Sequence, residues 1–230
     1  MIRVEEVTSL ALRLTPEPWS FEERNRAAID QHWKGLVAEN PRLWNGRTLL
    51  CRDARVEQGR FTADFVEADY ASFVAWRDWG RPDASVTNCF GVPAAFTREG
   101  ALLVGVMADW TLNAGKAYPP AGSLEPKDVR ADGSIDLHGN MRSELLEETG
   151  LDLAHASHGA MAAIFDGPRL AIVQRLDFPL SFAEITQRFA AHAAAEPQQE
   201  LARLEALHGA DEVDHRMPPY VGALLRPFRG

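Results

Sequence analysis

One glutamate-rich run constrains the fold of this 230-residue chain more than any other segment: SELLEETGL, residues 143–151. In an α-helix, Glu144, Glu147 and Glu148 stand at i, i+3 and i+4, so their carboxylates share one face. Gly150 suits the position just beyond a helix C-terminus, because glycine adopts the left-handed conformation without steric cost. The run therefore predicts a helix that ends at Gly150.

The predicted helix gathers negative charge where the helix itself disfavours it. Glu147 and Glu148 fall in the last turn, where the macrodipole is negative and each anion costs on the order of 0.3–1 kcal/mol. Like charges at these spacings add roughly 0.2–0.5 kcal/mol. A hard divalent cation would offset the repulsion, so one interpretation is a metal site. The alternative is an ordinary solvated helix face, since glutamate is common and such faces are usually exposed.

The composition is that of an ordinary globular protein, with 46% hydrophobic and 25% charged residues, which excludes disorder, collagen and coiled-coil rods. The net charge of −9 argues against nucleic acid or an anionic membrane as the main partner. The sequence has no apolar signal segment and no membrane-spanning run. Cys51 and Cys89 are its only cysteines and form no CxxC pair, which is typical of a reducing compartment. We therefore expect a cytoplasmic protein.

Hydrophobic periodicity predicts a mixed α/β chain. Ser20, with Glu23 three residues later, is predicted to cap the first helix. Strands are predicted at 10–14, 47–56, 60–67, 86–96, 101–108, 160–165, 170–176 and 200–207. Helices are predicted before Pro41, around Phe73 and Trp76, and at 141–149, 181–195 and 220–226.

Six positions of the run match a known motif. It resembles the C-terminal half of the Nudix box, G-x5-E-x7-R-E-U-x-E-E-x-G-U with U aliphatic, at Glu144, Leu145, Glu147, Glu148, Gly150 and Leu151. Upstream, residues 120–126 (PAGSLEP) resemble the proline-glycine loop that opens the box. The resemblance implies a Nudix-type α/β/α sandwich with a mixed sheet. It also implies hydrolysis of nucleoside diphosphates linked to another group, with Mg²⁺ or Mn²⁺ held by the box glutamates.

The chain departs from the box at two points. Gly122 and Gly150 are 28 positions apart, whereas the standard box spans 21, so seven extra residues lie between loop and helix. The insertion leaves the first-half glutamate unassigned by spacing, with Glu125 as a candidate. Ser143 stands where the box has arginine, a residue that supports the site glutamates in the family. The adjacent Arg142 is rotated by about 100° on a helix, so it does not replace that arginine automatically.

A longer Nudix subgroup, related to the UDP-glucose and UDP-galactose diphosphatases, provides a second resemblance. Its members carry a tryptophan-containing helix followed by an Asn-Pro-x-Leu-aromatic-Asn-Gly turn. Here residues 40–46 (NPRLWNG) follow Trp33 in that order, and the pair Asp69-Tyr70 also resembles the subgroup. The resemblance covers roughly residues 30–205.

This coverage predicts the domain organisation. The strongest boundary signal, Pro82-Asp83, is weak. We therefore expect one Nudix-like domain over 1–230, in which an N-terminal α/β extension (1–82) packs on a core (83–230). Nudix proteins are often dimers, so a homodimer is left open.

The resemblance implies a set of site residues. Glu144, Glu147 and Glu148 are expected to bind the metal and to act in catalysis. Glu200 matches the further acidic residue that the family often supplies after the box, and a solvated loop carboxylate is the alternative. The identity of the general base stays open among these carboxylates.

Substrate contacts are expected from the loop before the helix. Lys116 would reach a phosphate, Tyr118 would stack on a base or sugar, and Gly122 belongs to the opening loop of the box. The alternatives are a surface lysine and a tyrosine that serves only loop packing.

The expected reaction is hydrolysis of the diphosphate bond in a nucleotide sugar such as UDP-glucose, which would give UMP and a sugar 1-phosphate. Among enzymes, the alternative is an ADP-ribose or other nucleotide pyrophosphatase. Ser143 leaves a third possibility, a Nudix-fold protein that binds a nucleotide without hydrolysing it. The expected partner is a small nucleoside diphosphate derivative, with no nucleic acid and no membrane.

Overall fold

The computed structural model describes residues 2–226, so both ends of the predicted 1–230 unit lie outside the described residues. The strands are β1 (Arg3–Val7), β2 (Ser9–Leu14), β3 (Arg47–Glu57), β4 (Arg60–Asp69), β5 (Asn88–Phe96), β6 (Leu102–Met107), β7 (Ala117–Tyr118), β8 (Ser157–Asp166), β9 (Arg169–Asp177) and β10 (Leu201–Leu207). The α-helices are α1 (Ser20–Glu39), α2 (Tyr70–Asp78), α3 (Leu137–Thr149), α4 (Phe182–Ala195) and α5 (Tyr220–Leu224). Within residues 2–226 none of the helices is long and apolar enough to cross a bilayer.

Two sheets organise the described chain. In the larger sheet the strand order is β1-β8-β9-β5-β6-β10, with β7 paired to β6. Only β5 and β9 are parallel among its described pairs; the others are antiparallel, so the sheet is mixed. In the smaller sheet β4 lies between β2, which is parallel to it, and β3, which is antiparallel.

Helices cover both faces of the larger sheet. On one face Val92 of β5 packs in a cluster with Val221 of α5. On the other face Ala95 of β5 packs with Leu145 of α3 and Ile185 of α4. Such alternation is expected for a strand that is buried on both sides. The predicted α/β/α sandwich with a mixed sheet is confirmed.

The N-terminal segment contributes to both sheets. β1 pairs antiparallel with β8 of the larger sheet, whereas β2 joins the smaller one. Helices α1 and α2 pack against each other, with Trp19 and Trp76 fully buried between them. The packing also fixes the position of α2, which lines a cavity of the protein.

Most predicted elements are present, β1 and β7 were not predicted, and the starts of two helices, α1 and α3, have causes that the sequence did not indicate. The first helix begins after Trp19, whose side chain is 1% exposed and donates to Asp83 (3.0 Å). Ser20 makes no capping hydrogen bond, so the predicted capping box is wrong: burial of Trp19 fixes this start. Helix α3 begins at Leu137 rather than at 141, because the side chain of Asp136 caps it there.

Candidate active site

Helix α3 carries the three glutamates of the run, and local hydrogen bonds fix both of its ends. At the start, the Gly139 amide donates to the carboxylate of Asp136 (3.0 Å). At the other end, Gly150 is left-handed (φ 72°) and its amide donates to the Leu146 carbonyl (2.9 Å). The glycine ending that the sequence predicted is therefore confirmed.

Two side chains from later elements satisfy carbonyl groups of the last turn. His192 of α4 has Nε2 2.7 Å from the carbonyl oxygen of Glu147. The side-chain amide of Gln199 donates to the Glu148 carbonyl (3.1 Å). These carbonyls have no partner within the helix, so each contact compensates a group that would otherwise need water. The Gln199 bond also holds the neighbouring Glu200 beside the end of α3.

The predicted opening loop of the box lies directly on α3. The carboxyl group of Glu144 is so close to Gly122 that a Cβ atom there would overlap it. The side-chain amide of Asn140 donates to the Ser123 carbonyl (3.4 Å) and to the carboxylate of Asp128 (3.3 Å). Loop and helix are thus neighbours in space despite the residues inserted between them.

Burial and neighbouring negative charge raise the pKa of three carboxyl groups at α3, those of Glu144, Glu148 and Glu200. Burial, followed by the charge of Glu147, raises the pKa of Glu144 to about 7. Glu148 is 8% exposed, and burial, followed by the charges of Glu144 and Glu200, raises its pKa well above the usual value. Glu200 is exposed by surface area, yet partial desolvation and then the charge of Glu147 raise its pKa. The four predicted catalytic residues therefore share one region of negative charge.

Lys127 supplies positive charge to this region. Its charge lowers the pKa of Glu144, against the larger effects of burial and Glu147. Burial lowers the pKa of Lys127, but the charges of Glu125, Glu144 and Glu147 together raise it. Its ammonium lies 3.2 Å from the carboxylate of Glu125. Lys127 was not predicted, because it falls outside the box pattern; the only signal in the sequence was Ser143 at the arginine position of the box.

No metal site is preformed in the part of the chain that the structure describes: no group of three or more His, Cys, Asp or Glu is arranged to hold an ion. The donor chemistry nevertheless fits a hard cation, because carboxylate oxygens are the ligands that Mg²⁺ prefers. Burial and the neighbouring carboxylates raise the pKa of Glu144 and Glu148, so without a cation both groups favour the protonated form. The metal assignment therefore stays a prediction.

A cavity of about 400 Å³ lies beside the loop and is lined by all three predicted substrate-binding residues, Lys116, Tyr118 and Gly122. The Tyr118 hydroxyl accepts a hydrogen bond from the Asn113 amide (3.0 Å), and burial raises the pKa of Tyr118. Lys116 is exposed at this cavity. Gly122 connects the cavity to the glutamates, because it lines the one and contacts Glu144.

The remaining residues that line this cavity were not predicted from the sequence. Its further aromatic lining residues are Tyr70, Phe73, Trp76, Phe90 and Tyr220. Its further basic lining residues are Arg77, Arg81, Arg169, His215 and Arg216. These residues come from α2 and the segment after it, β5, the start of β9 and the segment around α5, so only the tertiary fold brings them together. No local spacing in the sequence could have revealed this set.

No family model matches the chain, and no curated protein matches it. Among solved structures, it is similar to the MutT protein from Methanosarcina mazei Go1, at 15% identity and a TM-score of 0.39 over 60% of this chain and 90% of that one. It is also similar to RenU, a Nudix hydrolase from M. smegmatis, at 17% identity and a TM-score of 0.37 over 59% and 78%. DR0079 from Deinococcus radiodurans gives 14% identity and a TM-score of 0.34 over 68% and 92%. Similarities at this level do not assign the chain to a family.

Proposed function

We propose that the protein is a Nudix-type hydrolase that cleaves the diphosphate bond of a nucleoside diphosphate derivative, most directly a nucleotide sugar such as UDP-glucose. The observation that carries the proposal is the contact between Gly122 and Glu144. It joins the two parts of the box that the inserted residues separate along the chain. The ending of α3 at Gly150, with Glu200 held beside it, supports the same function.

We propose Mg²⁺ or Mn²⁺ as the cofactor, with Glu144, Glu147 and Glu148 as its ligands. When bound, such a cation neutralises diphosphate charge and activates a water molecule. The clustered carboxylates support this assignment, because burial and then their mutual repulsion raise the pKa of Glu144 and Glu148 in the absence of a cation.

The chain's own residues would then position and deprotonate the reacting water. The capping bonds from His192 and Gln199 hold the last turn of α3 rigid, which fixes the direction of the Glu147 and Glu148 side chains. The candidates for the general base are Glu144, Glu147, Glu148 and Glu200.

The cavity supports a nucleotide as the substrate. Its volume of about 400 Å³ falls in the range of small-molecule sites. Aromatic rings such as those of Phe73 and Tyr118 offer flat surfaces to a base, while Lys116 and the arginines offer positive charge to phosphoryl groups. We propose that UMP and a sugar 1-phosphate leave from this cavity.

Two alternatives follow from particular observations. An ADP-ribose or other nucleotide pyrophosphatase would use the same carboxylates and the same cavity. A protein that binds nucleotides without hydrolysing them is favoured by Ser143 and by the lack of a preformed metal site among residues 2–226.

We further propose that residues 1–82 and 83–230 form one domain, supported by the pairing of β1 with β8. The two free, buried cysteines, Cys51 and Cys89, support a cytoplasmic location. The proposed partner is a small molecule, with a homodimer left open.

The proposal is tested by a screen of nucleoside diphosphate compounds with Mg²⁺ and with Mn²⁺, in which products are identified by mass. The wild type should release a nucleoside monophosphate, and Glu147→Gln and Glu148→Gln should abolish turnover while the fold is retained. Unchanged kcat in both variants would remove α3 from the mechanism. Nucleotide-dependent thermal stabilisation without any turnover would identify the binding protein instead.

A further inference from the structure

We propose that Arg81 and Arg169 form an anion subsite that binds a phosphoryl group of the substrate, and that the N-terminal segment is therefore part of the substrate-binding site. The inference rests on the proposed function for the identity of the substrate. The subsite itself is argued from the cavity that both arginines line.

The fold fixes the position of Arg81. Helix α2 ends in a Schellman motif: the Gly80 amide donates to the Arg77 carbonyl (3.2 Å) and the Arg81 amide donates to the Trp76 carbonyl (2.8 Å). Gly80 adopts the left-handed conformation that this motif requires (φ 79°). Arg81 is also left-handed (φ 60°), which is uncommon for a residue with a bulky side chain. Backbone strain of this kind persists where surrounding contacts hold it, often at ligand sites.

The neighbouring ring is held equally firmly. The guanidinium carbon of Arg81 lies 5.9 Å from the centre of the Trp76 ring. Trp76 is 1% exposed, and its indole N–H donates to the Asp83 carbonyl (2.8 Å). The guanidinium thus lies near a fixed aromatic ring. A charged group that is already held in place loses little conformational freedom when it binds an anion.

The arginines that line the cavity differ in the carboxylates with which they form salt bridges. Arg216 is fully engaged, with Glu205 at 2.9 Å and Asp214 at 2.8 Å. Arg77 pairs with Asp78 at 2.8 Å, and the same carboxylate also contacts His32 at 2.9 Å.

Arg81 has no such partner, and Arg169 has only a longer contact. Within residues 2–226, no carboxylate lies within 4.0 Å of the Arg81 guanidinium, and Arg169 has only Asp166 at 3.6 Å. Burial, followed by the charges of Arg169 and Arg77, lowers the pKa of Arg81, so the two cations lie near enough to repel each other. An anion between them would remove that repulsion and accept charge-assisted hydrogen bonds from both.

A phosphoryl group is the anion that the rest of the cavity favours. The same cavity reaches Gly122 and thus the carboxyl group of Glu144, where the diphosphate is proposed to be cleaved. Arginine forks bind phosphate oxygens in pairs, and two arginines together match the charge of one phosphoryl group. The overall charge of −9 makes such local cations necessary for attracting an anionic ligand.

The test measures binding without metal or turnover. Inorganic pyrophosphate, UDP and uridine are titrated into the wild type in EDTA, and heat of binding is recorded. Arg81→Gln and Arg169→Gln should each weaken pyrophosphate and UDP binding by about tenfold or more and leave uridine binding unchanged. Arg81→Lys should lose less than Arg81→Gln. Arg188→Gln is the matched control, because Arg188 is exposed on α4 and does not line the cavity.

The outcomes separate this inference from the proposed function. If the wild type binds no pyrophosphate in EDTA, or if both glutamine variants bind it as tightly as the wild type, the subsite is rejected even when the protein hydrolyses UDP-glucose. If the variants lose pyrophosphate binding and no substrate is hydrolysed, the subsite stands and the hydrolase does not. Thermal unfolding is recorded for each variant, and Arg169→Gln serves where Arg81→Gln fails to fold.

Discussion

The carboxyl group of Glu144 fills the space that a side chain at Gly122 would occupy. A methyl group at Gly122 must therefore displace the end of a flexible side chain rather than backbone. We predict that Gly122→Ala lowers kcat/KM by about 10- to 100-fold, because the added methyl group displaces the carboxyl group of Glu144 from its position in the site. Its melting temperature should change little, as measured by thermal unfolding.

Gly35 provides the matched control. It lies exposed within α1, and no atom is within 4 Å of a Cβ built there. Gly35→Ala should leave activity unchanged and stabilise the fold by about 0.5–1 kcal/mol. Full activity in Gly122→Ala would show that the contact with Glu144 has no catalytic importance.

Lys127 is predicted to support the glutamates in place of the box arginine. Because its charge lowers the pKa of Glu144, Lys127→Gln should raise that pKa further and shift the rising limb of the pH–rate profile to higher pH. Activity at neutral pH should fall several-fold, with partial recovery in alkaline buffer. Lys127→Arg should retain most activity, and Lys34→Gln, on the exposed side of α1, should retain all of it. An unshifted profile in Lys127→Gln would contradict this role.

The serine at the arginine position is tested by a double-mutant cycle. If Lys127 already supports the site, Ser143→Arg alone should give no gain in kcat. In the Lys127→Gln background, however, Ser143→Arg should restore part of the lost activity, because two neighbouring cations with one role are not additive. If Ser143→Arg raises kcat by the same factor in the wild type and in the Lys127→Gln background, Lys127 contributes nothing to this role.

The buried carboxylates predict how stability without metal depends on pH. The folded-state pKa of Glu144 is about 7 and the ordinary value is 4.5. Between these values the folded state binds more protons than the unfolded state, so this group lowers stability as the pH rises. Glu148 acts in the same direction.

We therefore predict that Glu148→Gln melts at a higher temperature than the wild type in EDTA at pH 7.5, and that the difference shrinks toward pH 5. Mg²⁺ should stabilise the wild type more at pH 7.5 than at pH 5. Glu39→Gln is the control, because Glu39 is exposed at the end of α1. A pH-independent difference between Glu148→Gln and the wild type would contradict the raised pKa.

The sequence predicted those features of the site that depend on local spacing. Glu144, Glu147 and Glu148 are on one helix, and Gly150 ends it, because both follow from helix geometry alone. The sandwich was expected from the resemblance to the Nudix box, and the continuous apolar pattern of β5, a strand buried on both faces, agrees with it.

The features that depend on contacts between distant segments were not predictable. Ser20 followed the capping rule, but the burial of Trp19 set the helix start. Lys127 lies outside the box pattern, and Arg81 and Arg169 are 88 positions apart along the chain, so no motif joins them. Both line one cavity because the segment after α2 and the start of β9 pack around it.

The central claim is that the α3 carboxylates gather a divalent cation for diphosphate hydrolysis. The most direct measurement is anomalous diffraction from crystals soaked in Mn²⁺ with a non-hydrolysable nucleotide-sugar analogue. The account predicts a manganese peak coordinated by oxygens of Glu144, Glu147 or Glu148, with the analogue's diphosphate beside it in the cavity at Gly122. Carboxylates that face bulk solvent with no manganese nearby, and an analogue bound elsewhere, would contradict the account.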